Sequence, residues 1–292
     1  MISIQNQSFS GMRNPARPVL AAQACLCVLI GTWLIAFGPA HADEGSQKSD
    51  LEASSKRRLE AMREAINDLK FSSPDIKAEA ALRMGKGPLL RYNDQTRNLL
   101  DATVWRVGKI GRPTAVVTLE IYGKTDAAPA LVYEFVSLSP GRFSMESPRG
   151  PRWTPSGTDL KMAALTNAPR AADSKTARLA QMRQAARRFE VREEYRGDKV
   201  ECRLLATPID RYDGGERDRL DGAMFIFANG TNPEVGLLVE CRDNEWSYGM
   251  FRLGGAALSA DLDGKPCYAA PAMRGGISDR YATAAHGIAL PE

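Results

Sequence analysis

The sequence predicts an α+β fold built by tandem duplication, each copy an N-terminal amphipathic helix packed on an antiparallel β-meander. Three observations predict it. The chain matches itself when shifted by 120 residues, and each matching segment opens with apolar residues at helical spacing. Turn residues then recur about every eight to twelve positions, the rhythm of a meander. Composition agrees: of 292 residues, 43% are hydrophobic and 25% charged, which supports one or two real cores and excludes a disordered or collagenous chain. The balance of 39 basic against 35 acidic residues, net +4, is too small and too scattered to mark a nucleic-acid-binding protein.

Residues 1–42 read as a secretory signal. Arg13 and Arg17 form the positive n-region, Val19 to Phe37 the apolar h-region, and Ala40-His41-Ala42 a small-x-small cleavage site. The apolar run is nearly long enough to span a bilayer, so an uncleaved anchor is the competing reading. Gly31, Gly38 and Pro39, directly before Ala-His-Ala, favour cleavage, with no membrane span afterwards. Most of the run follows Cys25 and Cys27, which argues against a lipoprotein. The mature chain is expected to begin near Asp43, in the periplasm or outside the cell.

Cleavage changes the chemical inventory. It leaves 37 basic residues against 35 acidic ones, net +2, and His286 as the remaining histidine. One histidine cannot build a His-rich zinc site, and a Ser-His-Asp or Cys-His site would rest on it entirely. Neither a cofactor nor a metal is expected. Cys202, Cys241 and Cys267 remain, which in an oxidising compartment allows one disulfide with a thiol left over, or three buried thiols.

The duplication aligns 54–122 with 174–242 without a gap, giving 15 identities in 69 positions where ordinary composition predicts about four. Arg58-Leu59 meets Arg178-Leu179, Met62-Arg63 meets Met182-Arg183, and Arg91-Tyr92 meets Arg211-Tyr212. Leu100-Asp101 meets Leu220-Asp221, Pro113 meets Pro233, and Glu120 meets Glu240. The expected organisation is a first repeat over 43–147, a Pro/Gly/Ala-rich linker over 148–172, a second repeat over 173–268 and an irregular tail over 269–292. Two copies are too few for a solenoid.

Each repeat opens with a helix. Leu59, Met62, Ile66 and Leu69 form one apolar stripe, and Leu179, Met182, Ala186 and Phe189 the other. Ser54 or Ser55, and Asp173 or Ser174, are available N-caps. Lys56-Arg57-Arg58 and Arg187-Arg188 read as solvated helix-face charge. Strands are expected at Leu99–Val107, Thr114–Tyr122, Ala130–Leu138 and Arg142–Met145, then at Asp221–Ala228, Val235–Arg242, Trp246–Leu253 and Ala257–Leu262. A hairpin joins Phe189–Tyr195 to Lys199–Ala206 through Arg196-Gly197-Asp198, a tripeptide better explained as a turn than as an adhesion motif.

The strings Arg203-Leu204-Leu205, Pro208, Arg211-Tyr212, Leu220-Asp221-Gly222-Ala223 and Gly230-Thr231-Asn232-Pro233-Glu234-Val235 resemble a family of bacterial exported proteins of unknown function. Arg152-Trp153-Thr154-Pro155 adds to the resemblance. It implies an exported bacterial protein and no particular reaction, ligand or catalytic residue.

The candidate site follows from the meander. A turn centred near residues 110 and 111 sets Asp101 opposite Glu120, and the same register sets Asp221 opposite Glu240. Directly opposed carboxylates repel, so an arginine, a shared proton or a cation must offset them. Arg91 and Arg211 are the expected counterions, and Tyr92 and Tyr212 can donate hydroxyls. The favoured reading is an ionic cluster that pins each sheet, since it recurs in both repeats. The competing one is a carboxylate pair for acid/base work or glycoside cleavage. Asp210, Arg211 and Asp213 beside Gly214-Gly215 lack the ligand pattern of a calcium loop. Trp105, Trp153 and Trp246, with Tyr122, Tyr133 and Tyr248, are core residues or a sugar- or peptide-binding face. The expected function is a non-enzymatic binding or structural component of the bacterial envelope, an envelope glycan or peptide being the candidate partner and nucleic acid excluded. The alternative is a hydrolase using Asp101/Glu120 or Asp221/Glu240.

Overall fold

Strands whose residues are buried at nearly every position need a cover on both faces, and four strands here have that character. In the computed structural model they are β3, β4, β12 and β13 of the following order. Helix α1 (Glu44–Asn67) precedes β1 (Lys70–Ser72), β2 (Leu90–Asp94), β3 (Leu99–Val107), β4 (Ala115–Tyr122) and β5 (Ala130–Ser137). Three short strands follow, β6 (Ser144–Glu146), β7 (Arg152–Trp153) and β8 (Met162–Ala164). Helix α2 (Lys175–Ala186) then leads to β9 (Phe189–Tyr195), β10 (Asp198–Leu204), β11 (Asp210–Asp213), β12 (Asp221–Asn229) and β13 (Asn232–Arg242). Then come β14 (Glu245–Arg252), β15 (Ala257–Leu262), β16 (Lys265–Ala270) and β17 (Tyr281–Gly287). The structure describes residues 44–75, 82–123, 129–148, 152–195, 197–214, 219–273 and 280–287. The expected signal, residues 1–42, lies outside them, as does Arg196 of the hairpin tip.

Among the described residues every strand pair is antiparallel. One sheet runs β17-β5-β4-β3-β2, a second runs β16-β15-β9-β10-β12-β13-β14-β8 with β11 on β12, and β1-β6-β7 form a small third. The period of two along each strand sorts the side chains. Trp105, Val117, Leu119 and Ile121 pack with Met62 and Ile66 of α1. Phe225, Phe227, Leu237 and Val239 pack with Met182 and Ala186 of α2. The intervening positions, Val104 and Val116 from the first sheet with Met224, Ile226 and Leu238 from the second, form a core between the two sheets. Ser174 caps α2 by accepting from the Ala177 amide.

The duplicated helix-on-meander α+β fold is not what the chain builds. The protein is mostly β, with two helices against seventeen strands among the described residues. Its large sheets do not partition into two meanders. The stretch expected as a linker supplies β7 and β8, and β8 becomes an edge of the second sheet. The tail expected to be irregular supplies β17, which pairs along β5 in the first sheet. Open sheet edges recruit whatever extended segment lies near, because unpaired backbone groups are costly to leave without partners.

Candidate functional site

The singled-out acids are buried, but their register differs from expectation by one residue. Glu120 pairs with Ala102 and Asp101 with Ile121; Glu240 pairs with Gly222 and Asp221 with Cys241. A one-residue slip sends a side chain to the other face. Asp101 and Asp221 therefore point toward the helices, whereas Glu120 and Glu240 point into the space between the sheets. The carboxylates expected to oppose each other do not.

Each aspartate is clamped by two arginines. Arg91 donates from Nε to Asp101 Oδ1 at 2.9 Å and from Nη2 to Oδ2 at 2.5 Å, and Arg58 of α1 adds Nε to Oδ2 at 3.3 Å. Arg211 donates from Nε to Asp221 Oδ1 at 2.9 Å, and Arg178 of α2 from Nε to Oδ2 at 2.6 Å. Both aspartate side chains are 5% exposed, so the pairs lie in a setting where water screens them little. The bond to Asp101 raises the Arg91 guanidinium pKa, offsetting a partial loss of solvation. Arg58, expected as solvated helix-face charge, is thus a buried-site partner, as is Arg178. Their conservation of place at the 120-residue offset was the available signal.

Glu120 is held by two tyrosines, and Glu240 by a tyrosine and an arginine. Tyr92 reaches over Ala102 to donate its hydroxyl to Glu120 Oε1 at 2.8 Å, and Tyr122 donates to Oε2 at 2.8 Å. Tyr212 reaches over Gly222 to Glu240 Oε1 at 2.8 Å. A Cβ on Gly222 would lie 2.3 Å from the Tyr212 ring, so the ring occupies the space that glycine leaves. Arg112, from the loop between β3 and β4, closes the arrangement with Nε to Glu240 Oε1 at 2.8 Å and Nη2 to Oε2 at 2.6 Å. Burial pushes the Glu120 carboxyl up, against the lowering effect of its two hydroxyl partners. Burial likewise drives the Tyr92 and Tyr212 phenols well above their ordinary range.

A second buried cluster went unread in the sequence. Arg97, on the short turn after β2, donates to Glu234 Oε1 at 2.8 Å and to Glu193 Oε2 at 3.1 Å, both acids being 1% exposed. Asn232 and Asn229 donate to the same two carboxylates, each at 2.8 Å. Burial first, then Glu193, pushes Glu234 up to about 7. Nearby, Tyr281 donates to Glu134 Oε1 at 2.8 Å, and burial with the Glu120 charge holds Glu134 well above the carboxylate range. The signal was phase: Glu193 shares a strand face with Phe189 and Val191, both core residues.

The remaining candidates resolve plainly. Asp210 is paired with Arg106 at 2.7 Å and Asp213 with Lys175 at 2.7 Å, while Gly215 lies outside the described residues. No group of three or more His, Cys, Asp or Glu among the described residues could hold a metal ion. Trp105, Trp153, Trp246 and Tyr133 are buried core, whereas Tyr248 lines a groove. Cys202, Cys241 and Cys267 are free thiols. Among the described residues no helix is long and apolar enough to cross a membrane.

Among the described residues, three concavities bear on the site. Ser55, Arg58, Arg91 and Asp101 line one of about 270 Å³. Lys109, Lys175, Arg211, Asp213 and Asp221 line one of about 530 Å³. The third, about 670 Å³, lies beside β14 and β16. The aspartates in the first two already carry cationic partners, arginines on Asp101 and Asp221 and Lys175 on Asp213. A retaining or inverting glycosidase needs two carboxyls facing one substrate, and here Asp101 and Glu120 face opposite sides of a sheet. In comparisons with known proteins, no family model, no curated protein and no solved structure matches this chain.

Proposed function

We propose that the chain is an exported, non-enzymatic binding or structural component of the bacterial envelope. One observation carries this reading: all four candidate acids are bonded within the fold, both aspartates by paired arginines, Glu120 by two tyrosine hydroxyls and Glu240 by Arg112 and a tyrosine hydroxyl. A general acid or base must reach its substrate, and a buried, doubly bonded carboxyl cannot do so without breaking the contacts that hold it. The signal-like N-terminus and the resemblance to exported bacterial proteins support the location.

The test is paired. Glu120→Gln and Glu240→Gln are expected to lower the melting temperature, while wild type shows no turnover on envelope glycans. Unchanged melting together with turnover lost in the variants would establish the hydrolase instead. The N-terminus of the secreted product, read by mass spectrometry, is expected near Asp43.

A further inference from the structure

The groove of about 670 Å³ beside β14 and β16 has polar and charged lining groups that the fold leaves without ionic partners among the described residues. Its volume falls in the range that encloses a small ligand. Leu160, Met250 and Phe251 are buried residues that give it an apolar floor. Lys161, Arg252 and Tyr268 also line it.

These three groups are under-used. Arg252 donates from Nε to Gly254 O at 3.0 Å and from Nη2 to Ala256 O at 2.6 Å and Pro271 O at 3.0 Å, all neutral carbonyls. Its face lies 5.2 Å from the Tyr281 ring centroid, which is neutral too. Among the described residues it forms no salt bridge, and its Nη1 makes no hydrogen bond. Glu134, which faces it from β5, has its carboxyl pushed well above the ordinary range by burial and by the Glu120 charge, which weakens it as a counter-charge. Lys161 has no ion pair among the described residues, and the Tyr268 hydroxyl has no hydrogen-bond partner there. The remaining cation at the rim, Arg280, is already paired with Asp159 at 2.6 Å.

Half-burying a guanidinium without a counter-charge is unfavourable, and an incoming anion would remove that penalty. The free polar groups are all able to donate, which suits an acceptor-only head such as a carboxylate and suits a neutral sugar poorly. The apolar floor asks for a hydrocarbon body behind that head. We propose that this groove binds a small amphipathic carboxylate, an aliphatic acid of medium chain length, its head between Lys161, Arg252 and Tyr268 and its chain along Leu160, Met250 and Phe251. This rests on the reading of the chain as a binding protein and names the ligand class.

The experiment is isothermal titration of the full chain with octanoate, 1-octanol and acetate. Octanoate is expected to bind one per chain, with 1-octanol (no charge) and acetate (no apolar body) each at least about tenfold weaker. Lys161→Gln is expected to weaken octanoate by about tenfold and Tyr268→Phe by about threefold. Lys161 is exposed, so Lys161→Gln should leave the melting temperature unchanged. Cys267 also lines the groove, and saturating octanoate should slow its alkylation. Octanoate that fails to bind, binds no better than 1-octanol, or is indifferent to Lys161→Gln overturns the proposal. Mass spectrometry of compounds co-purifying with the chain separates the two levels: a different bound molecule would overturn the carboxylate alone, and an empty protein that also ignores octanoate would overturn the binding reading with it.

Discussion

Arg112 donates two parallel hydrogen bonds to Glu240, at 2.8 and 2.6 Å, joining the β3–β4 loop of the first sheet to a central strand of the second. The Glu240 side chain is 2% exposed and also accepts the Tyr212 hydroxyl. Both carboxylate oxygens are thereby engaged across the seam between sheets. Arg97 spans the same seam to Glu193 and Glu234, and Arg106 does so to Asp210. In this account the buried acids are structural ties, which is why the surrounding residues are donors.

Gly222→Ala is expected to destabilise the protein by about 2–3 kcal/mol, an overpacking cost, because the added Cβ would lie 2.3 Å from the Tyr212 ring. Ala102 holds the corresponding place beneath Tyr92 and already carries a Cβ, so Ala102→Gly should cost about 1 kcal/mol or less. Urea denaturation of both variants checks the asymmetry; equal losses would contradict it.

Asp221→Asn removes the charge that Arg178 and Arg211 share in a site where the aspartate side chain is 5% exposed. Breaking a buried ion pair from one side costs about 3–5 kcal/mol, and the partial exposure of both arginines places the expected loss near the lower end. Asp101→Asn should behave alike, through Arg58 and Arg91. A shift in the urea midpoint reports it, and a change within about 0.5 kcal/mol would contradict the clamp.

Stability should fall as pH rises from about 5 to 8. Glu234 is raised in the folded state from an ordinary 4.5 to about 7, so folding favours its protonated form. Its contribution is fully present below 4.5 and is lost as pH climbs through about 7. Glu120 and Glu134, also raised, act in the same direction. Glu234→Gln is expected to flatten the decline in melting temperature across this window; a decline as steep as in wild type would show that Glu234 does not cause it.

Cys267 is part-exposed, while Cys202 and Cys241 are buried and burial pushes Cys202 up to about 12. Peptide mapping after brief alkylation of the native protein should find label on Cys267 and little on the other two. Prominent labelling of Cys202 would contradict the packing around β10.

The local elements were largely legible. Leu99–Val107 and Ala257–Leu262 form strands with the bounds that the turn spacing predicts, and Ser174 caps the second helix. The partners Arg91, Tyr92, Arg211 and Tyr212 were legible because they recur 120 residues apart, as contacts needed twice do. Register was not. The first hairpin pairs Val107 with Ala115, one residue off the assumed turn centre, and the second carries a bulge between Phe227 and Ala228. Either shift turns an expected carboxylate pair into side chains on opposite faces. Sheet membership was not legible either, since β8 and β17 join sheets through backbone bonds that leave little trace in side-chain pattern. Arg97, Glu193 and Glu234 escaped because their contacts span 96 and 137 positions and no motif records such distances.

The most direct test of the tie between sheets is a double-mutant cycle on Arg112 and Glu240, using Arg112→Ala, Glu240→Gln and the pair, read as unfolding free energy in urea. The account predicts a coupling energy of at least about 1 kcal/mol, with the double variant less destabilised than the two single losses together. Losses that add to within about 0.5 kcal/mol would show that Arg112 and Glu240 act independently and that the seam is held by other contacts.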